Sequence, residues 1–477
     1  MTPEEFRKAG HELIDWIADY RQKIPELPVR AQVEPGEIRG ALPSHPPGST
    51  DGFSALLADL ERVIVPGITQ VQHPMHFGWF PSNASLASVL GDIASSGIGT
   101  LGISWESCPA LTELEEVMCD WMRELTGLGS QWRGTIHDTA STACVTAMIL
   151  ARERASHFSK NGAGLQGVAA PLVVYSTSQA HSSIAKAVQL AGFGNDNLHM
   201  VAEDPWTRAM LPDALAAAIE QDLAAGKIPA GIVCSVGATG TTAMDPVEEI
   251  AAIANRHGVW LHVDAAMAGS AMLLPECRHL WQGVEQADSL AWNPHKWMGT
   301  ILDTALFYVR DVDHLEAVMS TNPSYLRSGA DGQVTQYRDW GIPLGRRFRA
   351  LKLWFHLRLD GIDAIRSRLR RDLDNARWFR ERVEAAEDWE VVAPVPLQTV
   401  CIRHVPRDER GQPLCGEALD DHNLAWVKRI NTSGAAFMSP SQLDGRWMVR
   451  VSIGVESTTR EHVARLWELI QQSAAAG

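Results

Sequence analysis

Residues 289–299 organise this chain, and they read Ser289-Leu290-Ala291-Trp292-Asn293-Pro294-His295-Lys296-Trp297-Met298-Gly299. The run predicts a buried strand that ends in a tight turn, because proline fixes its own φ and moves the residue before it out of the helical region. The turn surrounds Lys296 with apolar neighbours, where an ammonium is disfavoured. Such a lysine has a lowered pKa and can act as a nucleophilic amine. A lone lysine is more often a surface residue, so a catalytic interpretation needs a second feature.

The second feature is a carboxylate that lies 32 residues before the lysine. Residues 260–266 predict a short buried strand that ends at Asp264. In an open α/β sheet, ligands bind beyond the carboxyl ends of the strands. A strand-end aspartate and a turn lysine in the next β-unit suit a pyridoxal phosphate site. The aspartate keeps the pyridine nitrogen protonated, and the lysine carries the cofactor on its amine.

A family is recognisable at these two runs. His262-Val263-Asp264-Ala265-Ala266 and Asn293-Pro294-His295-Lys296-Trp297 resemble the group II pyridoxal-phosphate decarboxylases, in the aromatic-L-amino-acid decarboxylase branch. The resemblance extends over essentially the whole chain. It implies pyridoxal 5'-phosphate as the cofactor and the type I, aspartate aminotransferase-like α/β fold, with a mainly parallel central sheet and a small α+β C-terminal domain. It also implies an interlocked homodimer with active sites at the subunit interface.

The order of predicted elements divides the chain into three parts. Residues 1–83 hold an amphipathic helix and a Pro/Gly-rich segment, which together predict an N-terminal dimerisation segment. Residues 84–360 alternate short apolar strands with helices, which predicts a mainly parallel sheet in a large cofactor-binding domain. Residues 361–477 combine a charged helix with strand-like runs and predict a small C-terminal α+β domain. Within the large domain, Asp245 is predicted to cap the helix that follows it.

Composition limits the partners and the compartment. The formal net charge of −15 argues against nucleic acid or an anionic membrane as a partner. No apolar run reaches the roughly 18 residues that a membrane span needs. Thr2 and Glu5 predict a helix capping box, and acidic residues so early argue against a targeting peptide. The seven cysteines are odd in number and lack paired metal-ligand spacing, which predicts reduced thiols, no metal site and a cytoplasmic protein.

The run Asp138-Thr139-Ala140-Ser141-Thr142-Ala143 suits the phosphate of the cofactor. Small hydroxylated residues begin a helix here, and the free N–H groups and positive dipole end of a helix favour a phosphate. By itself, such a run is more often an ordinary helix cap. The resemblance implies cofactor contacts at Thr139, Ala140, Ser141, Thr239, Ala266, Asn293 and His295.

Two further residues carry catalytic roles by resemblance. A lone histidine is more often structural, but the resemblance implies that His181 stacks on the cofactor ring near the bond that breaks. Tyr325 begins a polar, glycine-bearing run whose composition is typical of a mobile lid. The alternative is a surface loop. The resemblance implies that Tyr325 protonates the substrate carbon after carbon dioxide has left.

Two apolar runs, at residues 75–82 and 101–105, are candidates for the substrate pocket. Aromatic runs are usually part of a core, and composition alone would leave them there. The resemblance implies that the pocket is lined by Trp79, Phe80, Pro81 and Ser82, with Leu101 and Ile103 from the partner subunit, and by Gly345 after the lid.

The expected reaction is therefore decarboxylation of an aromatic L-amino acid, a small molecule, to its amine. Two rivals use the same scaffold: a decarboxylation-dependent aldehyde synthase and a decarboxylase of a non-aromatic amino acid. Tyr325 and His181 argue against the first, and the aromatic run argues against the second. A non-catalytic binding protein is disfavoured because Lys296, Asp264, His181 and Tyr325 are all present. The sequence does not select among tryptophan, DOPA, tyrosine, phenylalanine and 5-hydroxytryptophan.

Overall fold

The computed structural model describes residues 1–321, 330 and 332–476. Its strands are β1 (His76–Phe77), β2 (Arg133–His137), β3 (Leu172–Ser176), β4 (Leu198–Met200), β5 (Ile228–Ser235), β6 (Trp260–Asp264), β7 (Ser289–Trp292), β8 (Ala305–Val309), β9 (Trp389–Val391), β10 (Thr399–His404), β11 (Phe437–Leu443) and β12 (Arg446–Ser452). Its α-helices are α1 (Pro3–Lys23), α2 (Glu37–Ala41), α3 (Phe53–Asp59), α4 (Leu86–Ile98), α5 (Pro109–Thr126), α6 (Ala140–Ala155), α7 (Ser182–Leu190), α8 (Pro212–Ala224), α9 (Val247–His257), α10 (Val312–Met319), α11 (Ala350–Leu359), α12 (Ile362–Glu384), α13 (Gly416–Ser433) and α14 (Arg460–Ala475).

The described chain forms two compact units. The larger unit comprises Ser82–Leu373 with Ala393–Val400, and the smaller unit comprises Met1–Pro81, Asp374–Val392 and the residues from Cys401 onward. The division into consecutive domains at residues 83 and 360 stays a prediction. Within the described residues, no helix is both long and apolar enough to cross a bilayer.

The larger unit contains a seven-stranded sheet in the order β2-β8-β7-β6-β5-β3-β4. Neighbouring strands are parallel from β7 to β4, whereas β8 is antiparallel to both of its neighbours. The mainly parallel sheet that the sequence predicts is thereby confirmed. In the register of the sheet, Asp264 pairs with Ser235 on one side and with Ala291 on the other. The carboxyl ends of β5, β6 and β7 therefore lie side by side.

Helix α6 packs against the centre of this sheet, on strands β5 to β8. It can approach closely because Ala143, Ala147 and Ala151 recur at four-residue intervals and are fully buried. This packing fixes the N-terminal end of α6, which carries the predicted phosphate run.

The second sheet has the order β1-β11-β12-β10-β9, and its strands β1, β9, β11 and β12 belong to the smaller unit. Short strand β1 pairs in parallel with β11, with His76 opposite Phe437. At the N-terminus, the predicted capping box is confirmed, because Thr2 and Glu5 exchange side-chain to backbone hydrogen bonds of 3.2 and 2.7 Å. Helix α1 has no buried residue.

The prediction that Asp245 caps the following helix is wrong. Its two carboxylate oxygens accept the backbone N–H groups of Met210 and Ser235, at 2.7 and 2.6 Å. Pro246 occupies the position before α9 and makes no side-chain cap. The physical reason is burial. An enclosed carboxylate needs hydrogen bonds from its own surroundings, and here the donors are the last residue of β5 and a residue of the segment before α8.

Candidate active site

The lysine turn begins where β7 ends at Trp292. The N–H of Asn293 donates to the carbonyl oxygen of Ala266 at 2.9 Å, which ties the turn to the residues that follow β6. The N–H of Lys296 then donates to the carbonyl oxygen of Asn293 at 3.0 Å, and the N–H of Gly299 donates to that of Pro294 at 3.1 Å. Gly299 has φ +106°, a conformation that suits glycine. The turn therefore delivers Lys296 at the carboxyl edge of the sheet.

Asp264 is the last residue of the adjacent strand, and it is 8% exposed. The N–H of Ala266 donates to its Oδ1 at 3.0 Å, which fixes the rotation of the carboxylate. A carboxylate held in this way can pair with a cationic ring nitrogen.

His181 precedes the first turn of α7. Its Nδ1 accepts the backbone N–H of Ser183 at 3.2 Å and the hydroxyl of Ser183 at 2.7 Å. A neutral ring therefore carries its proton on Nε2. Partial burial and the nearby Lys296 amine lower the pKa of His181, whereas the Asp264 carboxylate raises it. The three predicted residues thus lie within electrostatic reach of one another, and the ring is neutral at pH 7.

The predicted phosphate run forms the start of α6. Thr139 is the capping residue, and its hydroxyl oxygen accepts the N–H of Thr142 at 3.4 Å. Ala140 and Ser141 are the first residues of the helix, where backbone N–H groups have no partner inside the helix. These N–H groups and the dipole end suit an anion.

Two residues beside the lysine extend this site. The side-chain oxygen of Asn293 is buried and has no hydrogen-bond partner among the described residues. Nδ1 of His295 accepts the N–H of Thr304 at 3.0 Å, so a neutral His295 ring carries its proton on Nε2. Burial, together with the Lys296 amine, lowers the pKa of His295 to about 4. His295 is therefore neutral at pH 7.

The residues at this edge fit pyridoxal phosphate. A lysine amine, an oriented carboxylate, a neutral histidine and a helix N-terminus are the groups that its aldehyde, ring nitrogen, ring face and phosphate require. The unpartnered oxygen of buried Asn293 also indicates a polar ligand at this edge.

Thr239 lies in a partly buried turn that the structure links to the His181 loop. The side-chain oxygen of Gln179 accepts the hydroxyl of Thr241 at 3.1 Å, and its NH₂ group donates to Glu203 at 3.1 Å. Sequence reasoning gave Gln179 no role.

In the larger unit, the structure brings Leu101 and Gly345 together. A Cβ at Gly345 would lie 3.3 Å from Cδ1 of Leu101. Ser107 fixes the loop by accepting the N–H of Ile103 at 3.2 Å and donating to the carbonyl oxygen of Leu101 at 2.8 Å. The Leu101 side chain is 55% exposed. Ser82, the first residue of this unit, is partly buried.

The other predicted pocket residues, Trp79, Phe80 and Pro81, belong to the smaller unit. Trp79 has φ +48°, an unusual conformation for a bulky residue. Its N–H donates to the hydroxyl oxygen of Ser439 at 2.7 Å, and its carbonyl oxygen accepts from Arg450 at 3.2 Å. The guanidinium of Arg450 also lies 5.0 Å from the ring centre of Phe80. Tyr325 lies outside the described residues.

Comparison with known proteins gives consistent similarities. Residues 35–405 match the pyridoxal-dependent decarboxylase conserved domain. The chain is 39% identical to phenylacetaldehyde synthase of Arabidopsis thaliana, covering 100% of this chain and 97% of that protein. It is 38% identical to tryptophan decarboxylase 2 of Oryza sativa subsp. japonica, covering 99% of this chain and 95% of the other. Its fold matches the crystal structure of Oryza sativa TDC with PLP and tryptamine with a TM-score of 0.95 and 33% identity, over 100% of this chain and 99% of that one. This likeness confirms the predicted fold class.

Proposed function

Because the chain belongs to the group II pyridoxal-phosphate-dependent decarboxylases, in the aromatic amino acid decarboxylase family, we propose that it converts an aromatic L-amino acid to the corresponding amine and carbon dioxide. Pyridoxal 5'-phosphate is the cofactor. The observation that carries the proposal is the meeting of Lys296, Asp264 and His181 at the carboxyl edge of the large sheet.

Each residue at this edge has a task in holding the cofactor. Lys296 would bind it by its amine. The phosphate would be held by the N-terminal residues of α6, Thr139, Ala140 and Ser141, with Asn293, His295 and Thr239 completing its surroundings. When bound, the cofactor supplies an electron sink for the pair of electrons that the departing carboxyl group leaves behind.

The chain's own groups control charge and protons around that sink. Asp264, oriented by the N–H of Ala266, keeps a proton on the ring nitrogen. His181 is neutral, with its Nε2 proton free to donate because Nδ1 is occupied by Ser183. Tyr325 delivers a proton to Cα after carbon dioxide has left.

The aromatic substrate class is supported by the side chains assigned to the pocket. Trp79 and Phe80 offer an apolar and aromatic surface, and the backbone of Trp79 is held at both its N–H and its carbonyl group. Flat apolar surfaces favour aromatic over small polar side chains. Ser82 and Gly345, which both belong to the larger unit, stay predicted substrate contacts.

We also infer a homodimer whose subunits share each site, with Leu101 and Ile103 reaching the partner's pocket. Exposed apolar side chains support it. Leu86, Leu90 and Ile93 lie on one face of α4 and are 42–49% exposed, and α1 exposes Phe6 and Ile14. Exposed apolar faces of this kind mark protein–protein interfaces.

A second candidate is an aromatic aldehyde synthase, and one observation favours it: the chain is as similar to a phenylacetaldehyde synthase as to a tryptophan decarboxylase. The two activities share the decarboxylation step and differ in whether the resulting carbon meets a proton or dioxygen. The presence of both His181 and Tyr325 favours the proton and hence the amine.

One incubation separates the candidates. The purified enzyme, loaded with pyridoxal phosphate, is given each aromatic amino acid and a set of small amino acids, with and without air, and amine, aldehyde and peroxide are quantified. We expect amine from an aromatic substrate at equal rates in both atmospheres. Aldehyde and peroxide that require air would establish the aldehyde synthase, and turnover of non-aromatic substrates alone would refute the proposed substrate class.

A further inference from the structure

Helix α12 carries two side chains that grip the residues immediately after Lys296. The guanidinium NH2 of Arg368 donates to the carbonyl oxygens of Trp297 and Met298, at 2.8 and 2.5 Å. One helical turn further on, Oδ2 of Asp372 accepts the indole N–H of Trp297 at 3.0 Å. These four residues, called here the lysine clamp, all belong to the larger unit.

The lysine turn needs this support because its own hydrogen bonds do not use all of its carbonyl oxygens. Its internal bonds use the carbonyl oxygens of Asn293 and Pro294. Trp297 and Met298 are fully buried, so their carbonyl oxygens need partners from elsewhere in the protein. Arg368 supplies both.

The fit around the clamp is close. A Cβ at Gly299 would lie 3.2 Å from NH2 of Arg368, so glycine there leaves room for the guanidinium. Asp372 and Trp297 are fully buried, and Arg368 lies 3.6 Å from the Asp372 carboxylate. Arg371, on the same helix, lies 3.5 Å from it. The clamp is therefore charged and enclosed, and its hydrogen bonds and ion pair fix the positions of its side chains.

We propose that Arg368 and Asp372 are positioning residues that set the direction in which Lys296 projects its amine toward the cofactor. Neither is assigned a contact with substrate or cofactor. They act through the backbone and indole of the residue that follows the lysine. The inference rests on the proposed function, since it takes Lys296 as the cofactor lysine.

The physical argument is that a small change in the backbone direction at Lys296 moves its amine by a larger distance. A lysine side chain has four rotatable bonds, and its reach is set by where the backbone points its Cα–Cβ bond. Displacing a reacting group by about 1 Å can cost about a hundredfold in rate. Burial raises the pKa of Asp372 to about 6, although Arg368 lowers it. At pH 7 the carboxylate is therefore ionised and can hold Arg368.

The test uses graded variants of the full-length protein. Arg368→Met removes both donor bonds but keeps the length of the side chain, and Arg368→Lys keeps a charged donor. Asp372→Leu removes the acceptor of the indole N–H, and Asp372→Asn keeps a neutral one. Matched controls on the same helix are Asp363→Asn, where the carboxylate is 96% exposed, and Arg370→Met, where the arginine is 48% exposed.

Three measurements are made on each variant: the dissociation constant of pyridoxal phosphate, the pH midpoint of the absorbance band of the bound cofactor, and amide hydrogen exchange of residues 293–300 in the cofactor-free protein. We expect Arg368→Met and Asp372→Leu to raise the dissociation constant about tenfold or more, to shift the midpoint and to speed exchange in 293–300. The Lys and Asn variants should recover part of each change, and the controls should match wild type.

Wild-type values of all three quantities in Arg368→Met and Asp372→Leu would overturn the positioning role. If either variant does not fold, Arg368→Lys and Asp372→Asn decide by the same measurements, since wild-type values there in every quantity contradict the proposal. Failure of the proposed function looks different: the wild-type protein itself would then bind no pyridoxal phosphate or form no borohydride-sensitive band.

Discussion

Glu115 and Arg346 form a buried ion pair of 2.6 Å beneath the loop that carries Leu101 and Ile103. The same guanidinium nitrogen donates to the hydroxyl of Thr135 and to the carbonyl oxygen of Ile136, at 3.1 and 2.9 Å. Burial lowers the pKa of Arg346, but the Glu115 carboxylate, with smaller contributions from Tyr337 and Cys119, raises it, and the pKa lies above its ordinary value. The carbonyl oxygen of Arg346 accepts the N–H of Gly102 at 3.0 Å. The pair thus anchors the loop proposed to complete the partner's pocket.

Replacing Glu115 with alanine should destabilise the protein strongly. It leaves the Arg346 charge buried without its carboxylate, which typically costs about 3–5 kcal/mol. Glu276→Ala is the control, because its pair with Arg370 is about half exposed and such pairs are worth about 0–1 kcal/mol. Chemical denaturation measures both. Equal losses in the two variants would contradict a special role for the buried pair.

The sequence predicted the features of this protein whose interacting residues are close together in the chain, and it did not predict those whose residues are far apart in the chain. The strands that end at Asp264 and before Lys296 follow from local patterns of apolar residues and a proline, and the structure has strands at both places. The lysine clamp could not be predicted, because its hydrogen bonds join residues 71 and 75 positions apart. The helical spacing of Ile365, Leu369, Ala376 and Phe379 places position 372 on the buried face of α12, but nothing in the sequence identifies Trp297 as the partner of Asp372.

The lysine itself gives the next prediction. Lys296→Ala should abolish the absorbance band that borohydride removes from the wild-type enzyme, and nearly all turnover, because no other amine is assigned to the cofactor. Lys186→Ala, an exposed lysine on α7, is the control and should keep both. Gel filtration checks that the variant retains its assembly. A normal turnover rate in Lys296→Ala would refute the assignment.

Asp264→Asn should slow decarboxylation while leaving the fold intact. The amide keeps the shape of the side chain but removes the charge that holds a proton on the ring nitrogen. Loss of a preorganised buried charge should raise the barrier by at least about 3 kcal/mol, which is more than a hundredfold in rate. The readout is the steady-state rate under saturating substrate, with exposed Asp213→Asn as the control. A rate within tenfold of wild type would rule out this role of the charge.

Buried histidines predict acid sensitivity. Burial lowers the pKa of His137 and of His262 to about 4, whereas an unfolded histidine titrates near 6.5. Between these values the unfolded chain binds more protons, so the free energy of unfolding decreases as pH falls from about 6.5 to about 4. Each residue contributes about 3 kcal/mol over that window. Denaturation at a series of pH values measures the slope.

His262 provides the matching variant. Its Nδ1 shares a hydrogen bond with the hydroxyl of Ser289, which also accepts the indole N–H of Trp260, both at 2.9 Å. His262→Gln cannot titrate and should flatten the slope by up to about 1.4 kcal/mol per pH unit. His279→Gln, at an exposed position, should leave the slope unchanged. If the His262 variant keeps the wild-type slope, the ring is not the titrating group.

Tyr325 gives the prediction that bears most directly on the reaction. If its hydroxyl delivers the proton to Cα, then removing the hydroxyl leaves the electron-rich carbon without its acid for long enough to meet dioxygen. Tyr325→Phe should therefore bind cofactor and substrate almost normally and yet form little amine. In air, one amino acid, one dioxygen and one water should give one aldehyde, one carbon dioxide, one ammonia and one hydrogen peroxide. Amine, aldehyde and peroxide are measured in the same incubation.

The controls for this experiment are the atmosphere and a second tyrosine. Without air, Tyr325→Phe should form neither peroxide nor aldehyde, because dioxygen is the oxidant of that overall reaction. Tyr20→Phe alters a tyrosine on α1, in the smaller unit, whose hydroxyl donates to Gln70 at 2.5 Å, and it should form amine at the wild-type rate. Undiminished amine formation by Tyr325→Phe, with no oxygen uptake, would show that another group protonates Cα. His181 is then the next candidate, because its neutral ring presents an Nε2 proton while Ser183 holds Nδ1.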